Sequence, residues 1–150
     1  LTASDPEGIG AKNAMQLAIN EAGILPSQVD YINAHGTSTP IGDIAEVKAI
    51  QNLFGEDAYN ISITSSKSMT GHLLGGTGAV EAIISILSMQ HGMVTPTINH
   101  EEGDKDPNID YKLDFTFNHA KARTIQYAMS NNFGFGGHNA CLLFKNPNIQ

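Results

Sequence analysis

Apolar residues recur at intervals of three and four between Ile9 and Ala22, at Ala11, Ala14, Met15, Ala18, Ile19 and Ala22. That spacing lines one stripe of a helix, and Gly23 supplies its stop. Ahead of it Leu1–Gly8 is polar, contains Asp5-Pro6 and reads as a loop or helix start. Pro26-Ser27-Gln28 predicts a turn, and Val29–Ala34 a buried strand leading into His35. Ile44, Val47, Ile50 and Phe54 share one face of a second helix over Ile41–Phe54, with Gly55 as its C-terminal cap. Ile61–Thr64 predicts a short strand. Gly75–Gln90 is apolar on nearly every side, the pattern of a helix enclosed in a core. Met93–Ile98 reads as extended and Asn99–Asp114 as a long, solvated acidic loop. Thr124–Ser130 and Asn139–Phe144 read as strands of an antiparallel hairpin closed by a glycine-rich turn. The order α-β-α-β-α-β-β predicts one layered α/β domain without repeats or linkers.

Composition narrows the function more than the fold. The 150 residues are 41% hydrophobic and 15% charged, enough for one ordinary core. A net charge of −7 speaks against a nucleic-acid surface, whose footprint is basic. The longest apolar stretch, Ala79–Met89, is interrupted by Glu81, Ser85 and Ser88 and falls short of the roughly 20 residues that span a bilayer, so no membrane is expected. The single cysteine, Cys141, allows no internal disulfide and fits a reducing compartment. No secretory leader is read at the start, so the expected location is cytoplasmic. The opening Leu reads as a fragment or a processed product.

Three blocks carry candidate chemistry: Asn33–Asp43, with His35 and the hydroxyls of Thr37, Ser38 and Thr39; Ser65–His72, with Lys67; and Asn131–Gly137, with Phe133 and Phe135. His35 follows a strand, where side chains of α/β folds often line ligand crevices, although a structural histidine is an equally good reading of that residue alone. Ser38 or Thr39 can also cap the helix that begins near Pro40. Glu81 inside an apolar helix needs a partner, and Lys67 is the natural one. The glycines at 71, 75, 76 and 78 lack the Gly-Lys-Ser/Thr ending of a phosphate loop, and Glu81 stands where a dinucleotide fingerprint wants its third glycine. Asp104–Asp110 alternates like a calcium loop but has Ile109 and Phe115 where glycine and glutamate are required. No metal site is expected. A serine hydrolase using Ser66 or Ser38 lacks both a Gly-x-Ser-x-Gly elbow and Ser-x-x-Lys. Cys141, among Ala140, Leu142 and Leu143, reads as a small buried hydrophobe.

Taken together and in this order, the three blocks resemble the C-terminal half of the β-ketoacyl-[acyl-carrier-protein] synthases, most closely their type II, from about Asp5 to Lys145. The resemblance implies the thiolase fold: two α/β halves stacked as α-β-α-β-α layers. This chain would form one layered α-β-α half with a mixed sheet, lacking that half's first strand. It implies decarboxylative condensation of malonyl-acyl carrier protein with an acyl-carrier protein, on substrates carried by phosphopantetheine and with no other cofactor. His35 and His72 would be the histidine pair, Lys67 the active-site lysine tied to Glu81, and Thr37 and Thr39 the pantetheine contacts. Phe135 would be the gating aromatic and Phe133 its companion. His138 departs from the threonine usual after the glycines. The nucleophilic cysteine would lie upstream of Leu1, so this chain alone would not condense. Acyl carrier protein is the implied partner, and the complete enzyme would be a homodimer. A polyketide ketosynthase and a non-catalytic chain-length-factor-like partner remain alternatives.

Overall fold

The structure is a computed structural model that describes residues 4–149; the first three residues of the expected opening loop lie outside them. Helix α1 spans Ile9–Ala22 and opens where Asp5 accepts the N–H groups of Glu7 and Ile9. It ends where Gly23, at φ 65, turns into the left-handed region that glycine enters without a Cβ clash. Strand β1 is Tyr31–Asn33, helix α2 Pro40–Phe54 and strand β2 Ser62–Thr64. A single-turn helix, α3, spans Lys67–Thr70, between the expected strand at Ile61–Thr64 and the expected helix from Gly75. One turn is too short to leave a periodic pattern. Helix α4 is Thr77–His91, β3 Met93–Val94, β4 Lys121–Ala122, β5 Tyr127–Gly134 and β6 His138–Lys145.

The main sheet runs β2-β1-β5-β6, with β1 parallel to both neighbours and β6 antiparallel to β5. A small antiparallel pair, β3-β4, stands apart from it. The four strands pair without an interior gap, so a further strand of this half could join only at an edge of the sheet. The hairpin is longer than its sequence suggested. Pairing continues from Asn131↔Cys141 to Gly134↔His138, because Gly136 and Gly137 take φ of 83 and 85 and close the turn within three residues.

Side chains alternate across the sheet. Ile32, Ile63 and Met129 face α1 and α2, against Met15, Ile19, Val47, Ile50 and Phe54. Tyr31 and Ala128 face the other way, against Met89, Val94 and Ile125. The result is an α-β-α half-sandwich. Helix α4 departs from expectation: it is not enclosed on all sides. It buries Thr77, Glu81, Ser85 and Ser88 against the sheet and turns Ile83 and Leu87 outward at 57% and 45% exposure.

Candidate active site

Because β1, β2 and β5 are parallel, the chain leaves their C-terminal ends on one edge of the sheet, where α/β folds hold ligands. His35 follows β1, Lys67 and His72 follow β2, and Phe133 ends β5. Blocks nearly a hundred residues apart in sequence meet there for that reason.

The His35 and His72 rings lie 5.7 Å apart, edge to face at 89°. Phe133 packs 5.6 Å from His35 on another side. Burial first, then the Lys67 charge and then His72, lower the His35 imidazolium from 6.5 to about 4. His35 is therefore neutral at pH 7 and keeps one ring N–H. The His72 tautomer follows from its contacts. Leu74 donates its backbone N–H to Nδ1 at 3.3 Å, and the Thr77 hydroxyl sits 3.0 Å from the same atom. A backbone N–H can only donate, so Nδ1 offers its lone pair and, in the neutral ring, Nε2 carries the proton.

Lys67 Nζ meets Glu81 Oε1 at 2.5 Å, with both side chains almost fully buried. Burial pushes the Glu81 carboxyl up, and the Lys67 ammonium pulls it back down. Asn33 and Ser66 frame the pair. Ser66 donates its N–H and hydroxyl to Asn33 Oδ1 at 3.3 and 3.1 Å, and Asn33 Nδ2 donates to the Glu81 carbonyl at 3.4 Å. Four residues thus knit β1, α3 and α4 into one polar network.

Thr37 and Thr39 lie between His35 and α2, with their hydroxyls 3.5 Å apart. Thr39 occupies the N-cap of α2, but its side chain makes no capping bond. Ser38, at φ 61, instead donates its N–H to Asp43 Oδ1 at 3.2 Å. Phe135 sits at the hairpin tip, 78% exposed. A cavity of about 540 Å³ opens beside Thr37, Lys67 and His72, and Tyr111, Phe115 and Phe117 form its far wall. His100 stacks on Phe117 at 3.7 Å. The segment expected to be a solvated acidic loop is therefore also part of a pocket wall, because Ile109 and Tyr111 line the cavity and Phe115 and Phe117 continue the wall just after it. Cys141 is half-buried on β6, and burial with the Glu46 charge pushes its thiol up to about 12, too high for a nucleophile at neutral pH. Among the described residues no group of three His, Cys, Asp or Glu side chains is placed to hold a metal ion, and no helix is long and apolar enough to cross a membrane.

Residues 1–101 match the sequence profile of the beta-ketoacyl synthase C-terminal domain. The chain belongs to this family. It is 56% identical over 145 residues to 3-oxoacyl-[acyl-carrier-protein] synthase 2 of Staphylococcus aureus, covering 97% of this chain and 34% of that one. The same-named protein of Synechocystis is 48% identical over the same length, again across 97% of this chain and 34% of the relative. The chain thus spans about a third of the curated relatives it matches. Among solved structures, a type II polyketide acyl-carrier protein in complex with its ketosynthase, bound to the hexaketide, superposes with a TM-score of 0.92 at 35% identity, over 98% of this chain and 35% of that one. A beta-ketoacyl synthase from Burkholderia phymatum superposes at 0.84 and 39% identity, over 97% of this chain and 33% of that one. The fold is the thiolase-like ketosynthase fold.

In this ketosynthase domain, sequence reasoning overlooked Glu46 and Asn131 at the base of the site. Glu46 is 4% exposed and accepts N–H bonds from His35, Gly36 and Asn131. The available signal was its place in α2 between two buried apolar residues, Ala45 and Val47. Thr77 and Leu74, which orient His72, left no pattern at all.

Proposed function

We propose that this chain forms the histidine-bearing part of a 3-oxoacyl-[acyl-carrier-protein] synthase of the elongating, fatty-acid type. The observation that carries this reading is the pair of imidazoles, His35 and His72, whose rings lie 5.7 Å apart at the C-terminal edge of the sheet, next to a cavity lined by His72, Lys67 and Thr37. Malonyl thioester, carried on the phosphopantetheine of acyl carrier protein, would place its thioester oxygen between the two rings. As the bond to the carboxylate breaks, carbon dioxide leaves and the electron pair moves to the α-carbon. The resulting enolate oxygen is where two N–H donors matter most. The carbanion then attacks an acyl thioester, whose thiolate leaves. Thr37 and Thr39 would hold the pantetheine arm. Phe135, with Phe133 behind it, would gate the approach. Burial keeps His35 neutral, and the positive charge of Lys67, fixed by Glu81, adds to that effect.

The nucleophilic thiol would come from outside these 150 residues, since the Cys141 thiol is raised and lies on β6. This chain alone should not condense. The working enzyme would be a cytoplasmic homodimer. Identity to the fatty-acid synthases, at 56%, favours that pathway over the polyketide one, where the structural neighbour bound to hexaketide is 35% identical.

The test is carbon dioxide release from malonyl-acyl carrier protein by the full-length protein carrying this chain. His72→Ala should lower the rate by about 10²–10³-fold, the range seen on removing one oxyanion donor. Parental decarboxylation by that variant would overturn the assigned role.

A further inference from the structure

β1 pairs with β5 only as far as Asn33↔Ser130. Beyond that point the strands lose their ladder, and the N–H groups of His35 and Gly36 have no strand partner. Glu46 takes both: His35 N–H donates to Oε1 at 3.0 Å, and Gly36 N–H to Oε2 at 2.9 Å. Asn131, on β5, donates its Nδ2 to the same Oε1 at 3.1 Å and approaches Met15 Sδ at 3.4 Å. Ser65 secures the turn from the far side, donating its hydroxyl to the Gly36 carbonyl at 2.7 Å. Asn131 lies two positions before Phe133, the ring that touches His35.

We propose that Glu46 and Asn131 form a clasp that replaces the missing ladder and sets the spacing between the His35 turn and the Phe133–Gly137 hairpin. Both are positioning residues. Neither lends charge to the reacting atoms; they hold the backbone that carries them. Among the described residues no ion pair reaches Glu46. Burial raises its carboxyl, and its three N–H donors lower it. The charged or titratable groups around it are Asp43 on the same helix, His35 at the end of β1 and the Cys141 thiol on β6, with Lys67 facing Asp43 and His35 from α3.

The discriminating variant is Asn131→Asp, which replaces the donor with a second carboxylate of the same shape. With both carboxylates ionised the clasp is repelled open. With one proton shared between them an O–H donor closes it again, as in other coupled acid pairs. Hydrogen exchange of the His35 and Gly36 amides, corrected for intrinsic rates, reads the clasp directly in the full-length protein. At about pH 5 the variant should protect these amides to within about twofold of the parent, and at pH 8 protection should fall about tenfold or more, tracking the shared proton. Asn131→Leu should lose protection at both pH values while the β5-β6 ladder stays protected. Protection in the Asp variant that does not change with pH, or parental protection in the Leu variant, overturns the clasp.

The activity arm rests on the function proposed above. Malonyl decarboxylation by the Asp variant should show the same pH limb in kcat, with KM within about twofold of the parent, since the arm-binding hydroxyls are untouched. If the parent does not decarboxylate, that function falls, and the exchange measurement still decides the clasp.

Discussion

Replacing Lys67 with Met tests the buried pair on which the site's electrostatics depend. Lys67 is 7% exposed and Glu81 1%, and their charged atoms are 2.5 Å apart. Breaking such a pair by removing one partner costs about 3–5 kcal/mol, because the remaining charge is left buried. Ser66 softens this only slightly, at 3.5 Å from Glu81 Oε1. Glu81 has one escape, which is to take up a proton. Burial already holds its carboxyl above 4.5, and losing Lys67 removes the strongest opposing influences. A carboxyl whose folded pKa lies above its unfolded value binds a proton that the unfolded chain has released. Stability therefore falls as pH rises from 4.5 through the folded pKa. The deficit of Lys67→Met should be smallest near pH 5 and, once the parent's Glu81 has ionised, grow by up to about 1.4 kcal/mol per unit of pH until the variant's folded carboxyl ionises. The double variant Lys67→Met/Glu81→Gln has no proton to exchange, so its deficit should be flat with pH and smaller at pH 8. Urea unfolding at pH 5 and 8 gives both numbers, provided the m value is unchanged. A cost below about 1 kcal/mol at pH 8, or an equal cost at both pH values, would refute the idea that the pair is buried and mutually dependent.

His35 supplies a second pH signature: its folded pKa of about 4 lies below the unfolded 6.5, so the unfolded chain takes up the proton first as pH falls. Stability should drop between pH 6.5 and 4, by about 1–2 kcal/mol once solvent screening is allowed for, and His35→Gln should abolish that slope in urea titrations. Gly36→Ala meets strain and crowding together, since φ is +35 and an added Cβ would lie 2.7 Å from Ser65 Cβ. We expect a loss of about 1–3 kcal/mol by thermal unfolding, and a melting temperature within a degree of the parent's would contradict the geometry. Ile83→Glu, on the outer face of α4, should change unfolding free energy by no more than about 0.5 kcal/mol and reduce self-association in sedimentation, whereas a loss above 1 kcal/mol would mean this chain itself buries that face.

Much of this molecule was legible where a physical rule acts locally. The spacing of Ala11, Met15 and Ile19 gave α1, and Gly23 its end. The lone carboxylate of Glu81 pointed to Lys67, because a buried charge demands a partner. What escaped depends on distant contacts. The clasp of Glu46 with Asn131 joins residues 85 apart, and neither breaks a local rule sharply enough to be noticed. The 99–114 segment looked solvated because its charges outnumber its aromatic residues. Only the fold brings His100 onto Phe117 and turns Tyr111 and Phe115 toward the cavity.

Helix α4 shows why the periodicity misled. Its sequence is apolar nearly all round, so burial on every side was the expectation. In the structure, four of the five buried positions of α4 are polar, Met89 being the apolar one. Thr77 reaches the ring of His72 from the first turn, and Glu81 anchors Lys67 one turn later. Ser85 returns its hydroxyl to the Glu81 carbonyl at 2.8 Å, two atoms of the same network. A helix packed for stability alone would place Ile83 and Leu87 inward and these polar groups outward. The reversal is costly in isolation, since it buries polar groups and exposes apolar ones. It makes physical sense because α4 is the one element that orients both His72 and Lys67. The polar stripe belongs to the hydrogen-bond network around His72 and Lys67, and the apolar face lies on the opposite side.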